Sequence, residues 1–355
     1  MNSLLSPNYR ITSKLPSWYS NWFRWRPTSD ELLRDAEARI LKKLDVPYKA
    51  RYVTTSQQEK IWTVSFNPEG TKTPILMIHG FGAGLGMWAL NIKELSKDRP
   101  VHTFDVLGFA RSSRPSFDGE AEAVEETFIN SIEDTRKELG LEKFILFGHS
   151  FGGYLAYAYT IKHQEQVKSL ILADPWGFSE KPEDWDSNVS IPIWIKLVVN
   201  IMQKFNPFSG IRVAGPLGPS LVRRFRPDLE RKFSSLFDDD TILNYIYHCN
   251  AQKPSGEVAF KKLVLPYGWA KFPMIHRMKY INAQIKVTML FGSHSWIDNS
   301  MTEQMVKEHP NQFSTYTISG AGHHVYADQP QYFNSVMTGI CESFDKQFDL
   351  TIEGE

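Results

Sequence analysis

The sequence predicts an α/β protein: a mostly parallel, eight-stranded sheet with helices on both faces and a helical cap inserted late in the chain. Three observations carry that expectation. From about residue 48 onward, short apolar runs of strand length alternate with helical stretches. The run Phe144–Phe147 leads into Gly148-His149-Ser150-Phe151-Gly152 and then an apolar helical stretch, a tight corner with a serine at its tip. Between Phe178 and Ala283 the strand rhythm stops; this stretch holds helical patterns, prolines and aromatics, and is too long for a structureless loop in a compact domain.

Taken in order, residues 1–47 form an extension. Leu15, Trp18, Trp22 and Trp25 recur at helical spacing, and Tyr19 and Phe23 widen the stripe, so this segment is amphipathic with an aromatic face. Pro27 interrupts it. Thr28 with Glu31 makes a capping-box pattern for a helix whose apolar face is Leu32, Leu33, Ala36, Ile40, Leu41 and Leu44. Arg51–Thr55 and Lys60–Phe66 read as a hairpin pair. Pro74–His79, Val101–Asp105, Phe144–Gly148 and Val167–Ala173 read as short buried strands, with Glu120–Leu139 a helix between them. Lys286–Phe291 and Phe313–Ile318 close the strand series before a last helix over 330–344. The expected division is therefore an extension over 1–47, a core over 48–178 and 284–355, and a cap over 179–283.

Bulk properties exclude several classes. Lys plus Arg and Asp plus Glu both number 40 in 355 residues, so no global basic field draws the chain to nucleic acid. Two cysteines, Cys249 and Cys341, are too few for a disulfide framework and fit a reducing compartment. Met1–Pro7 lacks the charged start and long apolar core of a secretory signal. No apolar run approaches the ~20 residues of a membrane span. The expectation is a soluble or peripherally bound cytoplasmic protein.

A serine hydroxyl is a weak nucleophile until a base takes its proton and a third group orients that base. Asp298 follows the strand ending at Phe291, and His323 follows Gly320-Ala321-Gly322 after the last strand. Ser150, Asp298 and His323 thus occur in the serine–acid–histidine order of α/β-hydrolases. Each has a bland alternative. Asp298 would also serve to cap the helix behind it, Asp174 after the sixth strand is a rival acid, and His324 adjoins His323. His79-Gly80-Phe81-Gly82-Ala83-Gly84 supplies backbone donors for an oxyanion, the natural pair being the Phe81 and Phe151 amides. That loop lacks the lysine of a phosphate-binding loop. The histidines form no H-E-x-x-H pattern, so no metal is expected, and the chemistry needs no organic cofactor.

The chain resembles the α/β-hydrolase domain-containing 4/5 subfamily along nearly its whole length. Carrying the likeness are Arg26–Ser29, Lys60–Val64, His102–Asp105, Asp174–Phe178, Tyr245–Asn250 and His324–Pro330. The resemblance implies Ser150 as nucleophile, Asp298 as acid and His323 as base. It also implies an H-x4-D motif of acyltransferase type, His323 with Asp328, although Asp328 has a plain structural reading as a helix-terminal carboxylate. One branch of that subfamily cleaves lysophospholipids and N-acylphosphatidylethanolamine; the other, a lipid-droplet lipase co-activator branch, carries asparagine at the nucleophile position, where this chain has Ser150. The implied substrate is an acyl phospholipid. The alternatives are acyl transfer to lysophosphatidic acid at the same site, or a non-enzymatic partnership with a triacylglycerol lipase or droplet-coat protein.

An aromatic extension suits a lipid-facing protein. Three tryptophans, Trp18, Trp22 and Trp25, burying ~200 Å² each would give at most about 15 kcal/mol, and a third of that equals the reversible hold of one myristoyl chain. Peripheral association with lipid droplets or membranes is therefore expected, with mitochondria as a further option.

Overall fold

The structure is a computed structural model that describes residue 25, residues 27–183 and residues 205–352. Trp18, Trp22 and most of the aromatic stripe lie outside the described residues. Strands β1 (Tyr48–Thr54), β2 (Lys60–Phe66), β3 (Ile75–Ile78), β4 (Val101–Phe104), β5 (Phe144–His149), β6 (Val167–Ala173), β7 (Lys286–Gly292) and β8 (Phe313–Ile318) form one sheet. Its order is β1-β2-β4-β3-β5-β6-β7-β8. β1 and β2 pair antiparallel, as do β2 and β4, and every other pairing is parallel.

Twelve α-helices cover or flank the sheet among the described residues: α1 (Asp30–Lys43), α2 (Ile92–Leu95), α3 (Ala121–Leu139), α4 (Phe151–Lys162), α5 (Ser209–Val213), α6 (Gly218–Phe225), α7 (Pro227–Phe233), α8 (Thr241–Ala251), α9 (Gly256–Leu263), α10 (Ser300–Glu308), α11 (Val325–Asp328) and α12 (Pro330–Ile352). Strand alternation divides the core in two. Ile75, Met77, Ile145 and Phe147 face one side with α1, α8 and α12; Leu76, Ile78, Phe144 and Leu146 face the other with α3 and α4. Both faces of the central strands are buried, which is why those strands read as unbroken apolar runs.

The first helix begins one residue later than the capping pattern placed it. Ser29, not Thr28, is the cap, its Oγ accepting from the Leu32 amide at 3.2 Å. Thr28 Oγ1 instead hydrogen-bonds His248 Nδ1 on α8, 3.0 Å away, tying the start of α1 to the cap. On α1, buried Glu37 accepts from Trp62 Nε1 at 2.8 Å and Arg111 Nη1 at 2.6 Å, and burial beside the Asp105 carboxylate pushes its carboxyl up to about 8.

Between β6 and β7 the described residues hold α5 to α9 and no named strand. Backbone and amide groups bolt this segment to the core. Asn250 Nδ2 donates to Gly82 O at 2.7 Å, the Gly256 amide to Gly108 O at 3.0 Å, and Arg114 to Cys249 O at 2.8 Å. Arg212 and Glu257 form a buried ion pair within it. No helix among the described residues is long and apolar enough to cross a membrane.

Candidate active site

β5 ends at His149, and the chain enters α4 through Ser150 at φ 54° and ψ −119°. A side chain in that region costs ~1–3 kcal/mol, and it persists because the surroundings leave no other course. The glycines explain how. A Cβ on Gly148 would lie 2.3 Å from Gly152 O, and one on Gly152 would lie 2.3 Å from Ile78 O, so β3, β5 and α4 close on each other through backbone alone. The Ser150 amide donates to Ala173 O at 3.0 Å, and its carbonyl accepts from the Gly153, Tyr154 and Trp176 amides. The hydroxyl is thereby raised at the carboxyl ends of the parallel strands, with Ser150 only 8% exposed.

His323, on the loop between β8 and α11, places Nε2 3.0 Å from Ser150 Oγ. Its Nδ1 lies 2.5 Å from Asp174 Oδ2. The carboxylate accepts from Nδ1–H, which leaves Nε2 bare to accept the serine proton. His324 does not reach Ser150; burial and its neighbouring histidines hold its imidazole well below its ordinary pKa, and Arg226 Nη2 lies 3.5 Å from its Nε2.

The acid is a correction to the motif order. Asp298 makes no hydrogen bond to His323. It accepts at Oδ1 from the Ser300 amide and at Oδ2 from the Ser300 hydroxyl, both at 3.0 Å, which is the helix-start role held out as its alternative. Asp174 takes the orienting position because it is fully buried at the end of β6, at φ 46°, a left-handed turn that aims its side chain across to the histidine loop. The loop after β7 still contributes: the Gly292 amide donates to Asp174 Oδ1 at 3.3 Å, and the Ser295 hydroxyl donates to Oδ2. In its contacts Asp328 follows the plain structural reading. Its Oδ2 accepts from the Gly322 amide at 3.0 Å and its Oδ1 pairs with Lys232 at 3.1 Å, so it props the histidine loop and does not touch the imidazole of His323.

Two further buried histidines shape the site. His149 Nε2 donates to His323 O at 2.9 Å, and burial together with the His323 ring holds its imidazole far below the usual range. His79 donates from Nδ1 to Gly80 O at 2.8 Å and accepts at Nε2 from the Val106 amide at 2.9 Å, while burial pulls its pKa down to about 4. The loop over 79–84 is thereby pressed against Ser150: a Cβ on Gly80 would lie 3.2 Å from Ser150 Cβ. Gly82, at φ 66°, completes the turn under the Asn250 tether. Among the described residues neither the Phe81 nor the Phe151 amide donates to a protein acceptor, as a donor kept for a transient oxyanion requires. Nothing local in the sequence marks Ser295 or Asn250, since each acts on a residue more than a hundred positions away. Phe81, Phe208 and Phe260 stack over this corner, with ring centroids 5.0 and 4.3 Å from Phe81. Trp25 is 67% exposed and donates from Nε1 to Val213 O at 3.2 Å.

A family model described as the alpha/beta hydrolase fold matches residues 73–330. Over 320 residues, 90% of this chain, the sequence is 50% identical to a (Lyso)-N-acylphosphatidylethanolamine lipase of Bos taurus, covering 94% of that protein. Over the same length it is 49% identical to the 1-acylglycerol-3-phosphate O-acyltransferase ABHD5 of Homo sapiens, covering 92% of it. Among solved structures, naproxen esterase of Bacillus subtilis superposes with a TM-score of 0.60 at 17% identity, over 87% of this chain and 97% of that one. A thermophilic esterase of Thermogutta terrifontis gives 0.59 at 21% identity, over 84% and 99%. Identity to the two curated relatives is equal to within one per cent, so it does not choose between water and a lipid hydroxyl as the acyl acceptor.

Proposed function

Because this chain belongs to the α/β-hydrolase fold family, we propose that Ser150, His323 and Asp174 act together in a serine hydrolase that removes acyl chains from phospholipids. The observation that carries the reading is the unbroken chain from Ser150 Oγ through His323 to the buried Asp174 carboxylate. As Ser150 Oγ bonds to the acyl carbonyl carbon, its proton passes to His323 Nε2, and Asp174 stabilises the imidazolium that forms. The carbonyl oxygen, now negative, rests on the Phe81 and Phe151 amides. Collapse breaks the bond to the leaving oxygen, which takes the proton from His323. Water, activated by the same imidazole, then releases the fatty acid and restores Ser150.

The substrate class comes from the relatives, named as a (lyso)-N-acylphosphatidylethanolamine lipase and as a 1-acylglycerol-3-phosphate O-acyltransferase. A lysophosphatidic acid hydroxyl in place of water would make the second step a transfer. A lipid surface is the natural site of action, supported by the exposed Trp25, Val213, Leu217 and Phe225. A regulatory partnership with a triacylglycerol lipase or droplet-coat protein would, unlike the acyl chemistry, survive loss of the hydroxyl.

The test is labelling by a fluorophosphonate probe, with radiolabelled acyl phospholipid followed to its product. Wild-type protein is expected to label and release fatty acid, and Ser150→Ala to do neither, with kcat lower by at least ~10⁴-fold. Absence of labelling in folded wild-type protein would contradict the reading.

A further inference from the structure

Beside His323 lies a cavity of about 200 Å³ that none of these steps uses. Trp176 and Phe178, just past Asp174, form one wall; Tyr267 and Trp269, on the chain returning from the cap, form a second; Trp296 and Asp298, in the loop after β7, form a third. The Trp296 ring stands 5.1 Å from the His323 ring, centroid to centroid, so one wall of the cavity packs against the base. Its volume falls below the ~300–1,000 Å³ of pockets that enclose a drug-sized ligand, and suits one end of a substrate.

Among the described residues the lining is aromatic with a single carboxylate, and no Lys, Arg or His belongs to it. Aromatic faces carry the negative side of the ring quadrupole, so they attract a cation, and a carboxylate at the same place adds a full opposite charge. An acyl chain would gain from the rings alone and nothing from the Asp298 carboxylate, whereas an ammonium group gains from both. The walls are also set in advance. Trp176 Nε1 donates to Gly268 O at 2.8 Å, and Asp298 is held by the Ser300 amide and hydroxyl and by the Ser179 hydroxyl at 3.4 Å.

We infer that this cavity holds the ammonium end of a lysophospholipid head group, of choline or ethanolamine type, while the acyl carbonyl sits at Ser150; the inference rests on the hydrolase reading above. Within the acyl-phospholipid class it selects substrates that keep a positive charge at the head. An N-acylated ethanolamine, whose nitrogen has become a neutral amide, gains nothing from the cage.

The test compares lysophosphatidylcholine with lysophosphatidylglycerol of the same acyl chain, in the full-length wild type, Trp296→Ala and Asp298→Asn. Wild type is expected to prefer the choline lipid about tenfold in kcat/KM, through KM, and each variant to cut that preference about three- to tenfold. Tetramethylammonium chloride should compete with the choline lipid and perturb tryptophan emission in wild type, where potassium chloride at equal ionic strength does neither. Equal kcat/KM for the two lipids in wild type, or a preference intact in both variants, would overturn the cage and leave the hydrolase reading standing. If Ser150 resists fluorophosphonate and neither lipid is cleaved, while tetramethylammonium perturbs the emission of wild type and not of Trp296→Ala, the hydrolase reading fails and the cage stands.

Discussion

The loops after β6 and β7 each offer His323 a carboxylate, and they differ in everything but that. Asp174 is fully buried, sits at φ 46° and receives hydrogen bonds from Gly292, Ser295 and His323. Asp298 is exposed and occupied with the first turn of α10. A carboxylate orients an imidazolium well where water is excluded, and the same charge near solvent is screened. The carboxylate that meets His323 is the one with a donor set around it, and place in the chain does not distinguish the two. The β7 loop is a support: it braces Asp174 and backs the histidine loop.

That division of labour breaks most severely at Gly292. A Cβ there would lie 2.2 Å from Gly322 O and 2.5 Å from Ala321 O, so Gly292→Ala must push the histidine loop away from β7. The expected outcome is more than ~3 kcal/mol of lost stability in denaturant unfolding and a drop beyond ~100-fold in probe labelling rate.

Five histidines across the molecule predict acid sensitivity. Burial depresses His79, His102 and His248 to about 4, and His149 and His324 well below their ordinary value. Since the unfolded chain binds protons at these groups between about 6.5 and 4 and the native state does not, their stabilisation is full above pH 6.5 and falls away toward pH 4. Glu37, raised to about 8, and Asp105, raised to about 6, act in the opposite sense as pH rises, but five imidazoles outnumber two carboxyls below pH 6.5. Thermal unfolding should therefore show a lower midpoint at pH 5 than at pH 7; a higher midpoint at pH 5 would mean these rings are solvated.

A smaller effect sharpens the contrast between the loops. Ser295→Ala removes one of three donors to Asp174 and should lower kcat about tenfold to a hundredfold with little change in KM, measured on a soluble ester. An unchanged kcat would mean the β7 loop does not brace the acid.

Much of this was legible in the chain because the features concerned are local. Strands buried on both faces announce themselves as apolar runs, and a left-handed serine between close-packed glycines leaves the pattern Gly148-x-Ser150-x-Gly152. The His79–Gly84 loop reads equally well, since its work is done by backbone amides next to a strand end. The choice between Asp174 and Asp298 is different in kind. Both follow a strand, and only tertiary burial and donors from a distant loop separate them. The capping pattern at Thr28 and the H-x4-D spacing at Asp328 are poor guides for the same reason: each describes neighbours in sequence, while His248, Gly322 and Lys232 claim these side chains in space.

The most direct measurement is the second-order rate of fluorophosphonate labelling for Asp174→Asn and Asp298→Asn, side by side and with folding confirmed for both. Asp174→Asn should fall about 10⁴-fold because the base loses its tautomer, and Asp298→Asn should fall less than tenfold. The reverse ranking would show that His323 takes its orientation from the β7 loop and that the arrangement described for this site is wrong.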